Sequence, residues 1–247
     1  TEEQLQPGSN IFNFETGLYE TFRTIQHKPV FLDPHLDRLF QSAKKINFNI
    51  GYSRRILKKM IEKVVCNLHI PNQRCRIISV PNNIIIYSTP LNIDEAIYKG
   101  VSTISIPAIR KTPHIKTTDY SLCLKAYENA QECDCFDAIL YDYNNKVLEG
   151  SKSNVFWVKE NRIYTRMNDV LPGITRKIIL SKSPFKIHNE KLNILDFNRV
   201  DELFLSNSSS GIIPVVKIDN IKIKNGHVGA ITAKLLKLYE KWLNNGI

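Results

Sequence analysis

The first half of the chain alternates between short apolar runs and amphipathic segments. Apolar residues at every second position predict strands, and apolar residues three or four positions apart predict helices. Asp33-Pro34 predicts a helix start, because aspartate caps helices and proline suits the first helical position. In chain order, the predicted elements are strands at 18–23 and 30–32, helices starting at Asp33 and Ser53, and strands at 76–80, 84–87 and 101–106.

A basic stretch with two prolines, Pro107 and Pro113, follows these elements and is typical of a linker. We therefore expect a small N-terminal α/β domain at 1–109, a linker at 110–116 and a larger C-terminal domain at 117–247. The pattern of the whole chain predicts an α+β fold in two lobes. Its predicted elements are helices at 119–133 and 173–181, strands at 138–141, 147–149, 155–158, 162–165, 202–205 and 212–218, and a final amphipathic helix.

Composition narrows the class of protein. The chain has 247 residues, of which 43% are hydrophobic and 23% charged, as expected of a globular protein. No apolar run is long enough to predict a membrane span, and the first residues lack the pattern of a signal peptide. The five cysteines show no paired Cys-x-x-Cys spacing, and the six histidines are scattered. We therefore expect a cytoplasmic protein with reduced thiols, no metal site and no membrane partner.

The net charge of +10 raises the question of nucleic-acid binding. The basic residues are spread along the chain and are not interleaved with aromatic residues into a stacking surface. A small anionic ligand explains the charge at least as well. We therefore do not expect a nucleic-acid partner.

Three chemical groups follow one another between residues 116 and 176. Lys116 offers an amine for an aldehyde, Glu149 offers a carboxylate for a ring nitrogen, and Gly173 opens a predicted helix whose N–H groups suit a phosphate. Pyridoxal phosphate requires these three partners. Taken alone, each group could also be without function. Lys116 could be one surface lysine among many, Glu149 a solvated acid, and Gly173 the start of an ordinary helix.

Two further segments could bind an anion. Arg38 lies beside the apolar stripe of its predicted helix, where it could reach inward or could extend its charge to solvent. The run from Ser206 to Ser210, followed by Gly211, places hydroxyls and amides at a predicted strand end. Alone, this run could equally be a polar loop without function.

Together, these segments resemble the class IV aminotransferases, the fold-type-IV pyridoxal-phosphate family. That family includes branched-chain and D-amino-acid aminotransferases and aminodeoxychorismate lyase. The resemblance implies a smaller N-terminal α/β lobe, a larger C-terminal lobe with a β-barrel-like core, and a homodimer. The matching segments are Gly17–Arg23, His35–Leu39, Lys116–Tyr120, Asp137–Leu140, Glu149–Phe156, Leu171–Arg176, Asp201–Phe204 and Ser208–Pro214.

The resemblance also implies a role for each matching residue. Lys116 corresponds to the Schiff-base lysine that also carries the proton, and Glu149 to the partner of the pyridine nitrogen. Leu171 corresponds to the residue that packs on the ring face, and Tyr120 to a tyrosine near the ring hydroxyl. The implied phosphate ligands are Arg38, Ile174, Thr175, Ser208 and Ser209, and the implied substrate pocket contains Tyr19, Ser210 and Gly211.

The resemblance leaves the reaction open. Lys116-Thr-Thr-Asp-Tyr120 is closer to the aminotransferases than to the Lys-His-Leu-Asn-Arg form of the lyase, so we expect transfer of an amino group between a branched-chain or D-amino acid and a 2-oxo acid. One alternative is 4-amino-4-deoxychorismate lyase, which releases pyruvate and 4-aminobenzoate in folate biosynthesis. Another is an inactive binding module. The arginine-histidine trap of D-amino-acid aminotransferases is missing between Ser79 and Ser88, so the residues that bind the substrate carboxylate are not identified.

Overall fold

The computed structural model describes residues 16–81 and 83–244 and divides the chain into two compact units. Among these residues, the first unit contains 16–93, 115–121 and 243–244, and the second contains 94–114 and 122–242. No helix in the described part of the chain has the length and apolar character needed to cross a membrane.

The first unit is an antiparallel sheet of four strands with two helices. The strand order is β2-β1-β3-β4. One face of the sheet packs with the helices around Leu18, Phe22, Leu36, Leu57 and Ile77, none of which is exposed. The elements are β1 (Leu18–Ile25), β2 (Lys28–Pro29), α1 (Leu32–Lys45), α2 (Arg54–Asn67), β3 (Gln73–Val80) and β4 (Asn83–Pro90).

The two predicted helix starts of this unit have different outcomes. Ser53 caps α2 as predicted, since its side chain accepts a hydrogen bond from the Ile56 N–H. The predicted aspartate cap of α1 is wrong: the cap residue is Phe31, and the Asp33 carboxylate binds Arg54 and Lys58 instead. The strand predicted at 30–32 is also misplaced, because the strand pairing ends at Pro29 and the helix begins at Leu32.

The second unit contains a mixed sheet of nine strands, in the order β10-β9-β8-β11-β12-β5-β6-β7, with β13 paired to β12. Its strands are β5 (Val101–Pro107), β6 (Asp137–Tyr141), β7 (Val147–Gly150), β8 (Asn154–Lys159), β9 (Arg162–Thr165), β10 (Ile187–Asn189), β11 (Glu202–Asn207), β12 (Gly211–Ile218) and β13 (Ile221–Lys222). Its helices are α3 (Ser121–Glu132), α4 (Ile174–Lys182) and α5 (Ala230–Asn244), with 3-10 helices at Glu95–Lys99 and Ile194–Arg199.

The junction between the units differs from the predicted one. Strand β5 was predicted as part of the N-terminal domain, yet it pairs in parallel with β6 and β12 and lies in the second unit. The predicted linker at 110–116 is divided, because residues 115–121 return to the first unit. An alternating pattern identifies a strand but not its sheet, which explains the difference.

Side-chain alternation along β11 separates the second unit's main core from a second face. Leu203 and Leu205 belong to the main core. Phe204 lies between them and points the other way, where it stacks on Phe156 with ring centroids 4.8 Å apart. Ser206, two positions after Phe204, continues this second face at the end of the strand.

Candidate active site

Lys116 is held at the start of β1 by backbone pairing. Its carbonyl accepts a hydrogen bond from the Tyr19 N–H at 3.0 Å, and the Thr118 N–H donates to the Gly17 carbonyl at 2.9 Å. The Gly17 N–H in turn donates to the Thr118 hydroxyl at 2.8 Å. Residues 116–118 therefore extend the sheet edge, and this pairing fixes the backbone from which the Lys116 side chain projects.

The Lys116 amine lies against an aromatic wall. Its Nζ is 3.2 Å from the Tyr19 hydroxyl and 4.2 Å from the centroid of that ring. The Tyr120 ring meets the Tyr19 ring edge-on, with centroids 5.8 Å apart. Tyr19 is only 5% exposed, so its ring gives the amine a fixed and partly dry neighbour. Three of the predicted site residues thus lie together in the first unit.

An arginine that the sequence analysis did not identify lies on the same sheet face. Tyr19 is paired with Ile78 on β3, and Arg76 is two positions along that strand, on the same face. The Arg76 guanidinium donates to the Tyr87 hydroxyl at 3.0 Å, while its Nε is buried without a hydrogen-bond partner in the described chain. The two-residue spacing puts Arg76 about 7 Å along the strand from Ile78.

Arg38 belongs to a buried ion network in the first unit. Its Nε and one terminal nitrogen donate to the two Glu20 oxygens at 2.7 and 2.6 Å, and His35 Nδ1 lies 2.7 Å from the same carboxylate. Burial raises the pKa of Glu20, but the Arg38 charge and the hydrogen bonds from Arg38 and His35 outweigh it and lower this pKa to about 2. Burial lowers the pKa of His35 despite the opposing carboxylate, so a neutral imidazole donates from Nδ1. The Glu20 carboxylate therefore stays ionised near neutral pH and holds the Arg38 guanidinium in place.

Glu149, at the end of β7, is held from two sides. Its Oε1 accepts a hydrogen bond from Arg110 at 3.0 Å, and its Oε2 accepts one from the Leu171 N–H at 2.9 Å. The Arg110 and Glu149 side chains are 12% and 6% exposed, so solvent screens this ion pair weakly. Arg110 lies in the predicted linker and was not identified from the sequence. Arg110 and the Leu171 N–H therefore orient the Glu149 carboxylate.

The turn after Glu149 folds around a buried carboxylate. Asp137, at the start of β6, accepts hydrogen bonds from the hydroxyls of Ser151 at 2.5 Å and Ser153 at 2.7 Å. Burial raises the pKa of Asp137 although both hydroxyls lower it. A Cβ on Gly150 would lie 2.6 Å from Asp137 Oδ2, so only glycine fits this turn. The network fixes the backbone that leads from Glu149 to β8.

The backbone N–H groups at the start of α4 are not capped by any side chain of the described residues. Gly173 is the cap residue, and a Cβ there would lie 2.0 Å from Asn154 Oδ1. The Asn154 amide donates to the Leu171 carbonyl at 2.9 Å and so holds the turn that enters the helix. Ile174 and Thr175 follow and are 3% and 2% exposed. Because the first N–H groups of a helix have no intrahelical acceptor, this end suits an anion.

The serine loop, residues 208–210, is organised by Asn207. The Asn207 side-chain oxygen accepts hydrogen bonds from the N–H groups of Ser209 at 3.0 Å and Ser210 at 2.8 Å. The Tyr98 hydroxyl donates to the Ser210 carbonyl at 2.9 Å. Gly211 then begins β12 with a φ of +76°, a conformation that favours glycine. The loop is thus a shaped element with serine hydroxyls at the end of the sheet.

The predicted site residues fall into both units. Tyr19, Arg38, Lys116 and Tyr120 belong to the first unit. The second unit contains the remaining eight, among which Glu149 and Leu171 are directly hydrogen-bonded. The predicted residues of the second unit are Glu149, Leu171, Ile174, Thr175, Ser208, Ser209, Ser210 and Gly211.

Sequence reasoning missed the residues that support the predicted ones. Glu20 and Asn154 lie within matching segments, so a search for polar residues in strands could have found them. Arg110 gave no such signal.

Residues 17–218 match the family model for amino-transferase class IV. The chain belongs to the class IV aminotransferase family. The resemblance inferred from the sequence is confirmed, and members of this family are enzymes that use pyridoxal phosphate.

Curated class IV relatives cover nearly the full chain. A probable branched-chain amino-acid aminotransferase of Thermotoga maritima is 29% identical over 94% of this chain and 88% of its own length. A D-alanine aminotransferase of Listeria monocytogenes is 28% identical over 91% of this chain and 86% of its own length. The aminotransferase class predicted from the sequence is confirmed at the level of the family.

Solved structures show the same fold. One is the crystal structure of a candidate branched-chain amino acid aminotransferase from Thermotoga maritima. It superposes with a TM-score of 0.84 at 26% identity, over 99% of this chain and 88% of that one. A Legionella pneumophila structure named as a candidate 4-amino-4-deoxychorismate lyase gives a TM-score of 0.83 at 24% identity, over 98% and 97% of the two chains. The predicted fold class, α+β of fold type IV, is confirmed.

Proposed function

We propose that this chain is a pyridoxal-phosphate-dependent aminotransferase that moves an amino group between an amino acid, of the branched-chain or D-type, and a 2-oxo acid. The observation that carries the proposal is the Lys116 amine, which projects from backbone paired with β1 and lies 3.2 Å from the Tyr19 hydroxyl. The names of the relatives support the reaction class. The homodimer and the cytoplasmic location stay predictions from the sequence.

The donors and acceptors of the second unit fit the proposed cofactor. Glu149 is an oriented hydrogen-bond acceptor, suited to a protonated ring nitrogen, and the start of α4 supplies N–H groups that no described side chain caps. Ser206 also fits a bound polar ligand. It is only 2% exposed, and its hydroxyl has no hydrogen-bond partner in the described chain. A buried hydroxyl without a partner is costly, so a polar ligand beside it would be stabilising. These groups match the requirements of a phosphorylated pyridine aldehyde.

Each residue would make a separate contribution to the reaction. Pyridoxal phosphate, when bound, supplies the electron sink for the pair of electrons left when the α-proton departs. Lys116 would bind the aldehyde carbon and, once released by the substrate amine, would accept the α-proton at Nζ and return it. The Tyr19 hydroxyl, 3.2 Å away, would orient that amine. Glu149, supported by Arg110, would hold a proton on the ring nitrogen.

Arg76 is our candidate for binding a substrate carboxylate. It lies on the same sheet face as Tyr19, whose hydroxyl is 3.2 Å from the Lys116 amine. Its guanidinium is oriented by Tyr87, and its buried Nε has no hydrogen-bond partner in the described residues. A carboxylate can accept two hydrogen bonds from one guanidinium. Arg76 would thus make the contact to the substrate carboxylate for which the sequence pattern predicted no residue.

Reductive trapping tests the central assignment. The purified protein is incubated with pyridoxal phosphate, reduced with borohydride and digested, and the labelled peptide is sequenced. We expect the pyridoxyl group on Lys116, and no label in Lys116→Ala, while Lys125→Ala serves as the matched lysine control. A label on another lysine, or none with excess cofactor, would contradict the proposal.

A donor screen tests the reaction itself. The wild-type protein is supplied with D- and L-amino acids, a 2-oxo acid, and separately with aminodeoxychorismate. We expect a new amino acid to form from at least one donor and acceptor pair. Release of pyruvate and 4-aminobenzoate without any amino transfer would favour the lyase. Lys116 labelling without turnover of any substrate would favour the binding module.

A further inference from the structure

Tyr239, on the C-terminal helix α5, lies against two elements of the proposed phosphate site. Its hydroxyl is 3.4 Å from the Thr175 hydroxyl at the start of α4. Its ring lies against Gly211, at the end of the serine loop, where an added Cβ would be 2.5 Å from Tyr239 Cε1. The family match ends at residue 218, before this helix begins. Tyr239 therefore connects the two elements from outside the matched segment.

Both hydroxyls of this contact are buried, and either of them could be the donor. Thr175 is 2% exposed and Tyr239 is 4% exposed, so neither hydroxyl exchanges its partner readily with water. A hydroxyl has one proton to donate and can accept others. If the Tyr239 hydroxyl donates to Thr175 Oγ1, the Thr175 proton is left for a different acceptor.

We propose that Tyr239 is a positioning residue for phosphate binding: it donates to Thr175, directs the Thr175 proton toward the phosphate, and keeps the serine loop against α5 through Gly211. The inference rests on the proposed function, because it needs a phosphorylated ligand at this site. Trp242 meets the Tyr239 ring edge-on, with centroids 6.4 Å apart. The C-terminal helix is thus part of the ligand site and not only part of the core.

The test compares Tyr239→Phe with the wild-type protein for two ligands, pyridoxal phosphate and pyridoxal, which lacks the phosphate. Binding is measured by equilibrium titration and the bound fraction by borohydride trapping. We expect Tyr239→Phe to weaken pyridoxal phosphate binding roughly fivefold, as for one lost hydrogen bond, and to leave pyridoxal binding unchanged. Trp242→Phe, on the same helix, is the matched packing control and should weaken both ligands equally or neither. A melting curve for each variant confirms that the fold is retained.

Each other outcome overturns the inference. Unchanged pyridoxal phosphate binding in Tyr239→Phe would mean that the Tyr239 hydroxyl does not direct the Thr175 proton toward the phosphate. Equal weakening of both ligands would mean that Tyr239 supports the fold alone. Failure of the wild-type protein to bind pyridoxal phosphate would instead remove the proposed function itself, and this result is distinct from the first two.

Discussion

Two buried pairs of glutamate and arginine, one in each unit, have opposite arrangements. In the first unit, Arg38 is the proposed ligand of the cofactor and Glu20 is its support. In the second unit, Glu149 is the proposed ligand and Arg110 is its support. The same two residue types therefore present an arginine as the proposed ligand in the first unit and a glutamate in the second. In both cases the supporting residue has the opposite charge and orients the proposed ligand.

The pairs differ in how firmly they are held. Glu20 is 1% exposed and receives two hydrogen bonds from Arg38 and one from His35. Glu149 receives one from Arg110 and one from a backbone N–H, and Arg110 also donates to the Pro113 carbonyl at 3.0 Å. Loss of the support should therefore affect folding in the first unit and reactivity in the second. Four predictions test this difference, from the largest effect to the smallest.

Removal of Glu20 should have the largest effect. Glu20→Ala leaves Arg38 as a buried cation without its carboxylate, and such a change costs on the order of 3–5 kcal/mol of unfolding free energy. Urea denaturation measures it. Asp33→Ala, which removes the exposed ion pairs to Arg54 and Lys58, is the control and should cost about 1 kcal/mol or less. Equal losses of unfolding free energy in the two variants would show that the buried network stabilises the fold no more than the exposed ion pairs do.

Acid should remove the same stabilisation without a mutation that creates a cavity. The pKa of Glu20 lies at about 2 in the folded protein, against an ordinary value of 4.5. A lowered pKa stabilises the fold fully above the ordinary value, and the effect is lost as pH falls toward the folded value. The stability advantage of the wild type over Glu20→Gln should therefore shrink by about 3 kcal/mol between pH 5 and pH 2. Chemical denaturation at several pH values measures this difference, and a constant difference would contradict the ion pair.

Replacement of Glu149 should affect the reaction more than the fold. Glu149→Gln keeps an acceptor for the Leu171 N–H but removes the negative charge, so we expect the turnover rate to fall about 100-fold, as when one preorganised electrostatic contact is lost. Glu202→Gln is the control, because Glu202 is a buried acid of the same unit that accepts hydrogen bonds from Ile231 and Thr232 at the start of α5. That variant should lose stability and retain its turnover rate. The reverse pattern would show that Glu149 is structural.

The sequence predicted the ligands of both pairs but not their supports. Arg38 and Glu149 lie in continuous matching segments, where neighbouring residues identify them. Arg110 is 39 positions before its partner, in a stretch without periodicity. Strand β5 was likewise predicted as a strand but not as a neighbour of β12, more than 100 positions later. Periodicity records the faces of one element, whereas these contacts depend on how distant elements pack.

Replacement of Arg110 should have the smallest effect and most directly tests its role as a support. Arg110→Met removes one hydrogen bond and the positive charge beside Glu149, while the Leu171 N–H still holds the carboxylate. We expect turnover to fall about tenfold, because the carboxylate loses one of the two groups that orient it. Arg162→Met removes an exposed arginine from β9 of the same unit and is the matched charge control. If both variants keep the wild-type turnover rate, the Arg110 contact does not support the function of Glu149, and the parallel between the two pairs is limited to their geometry.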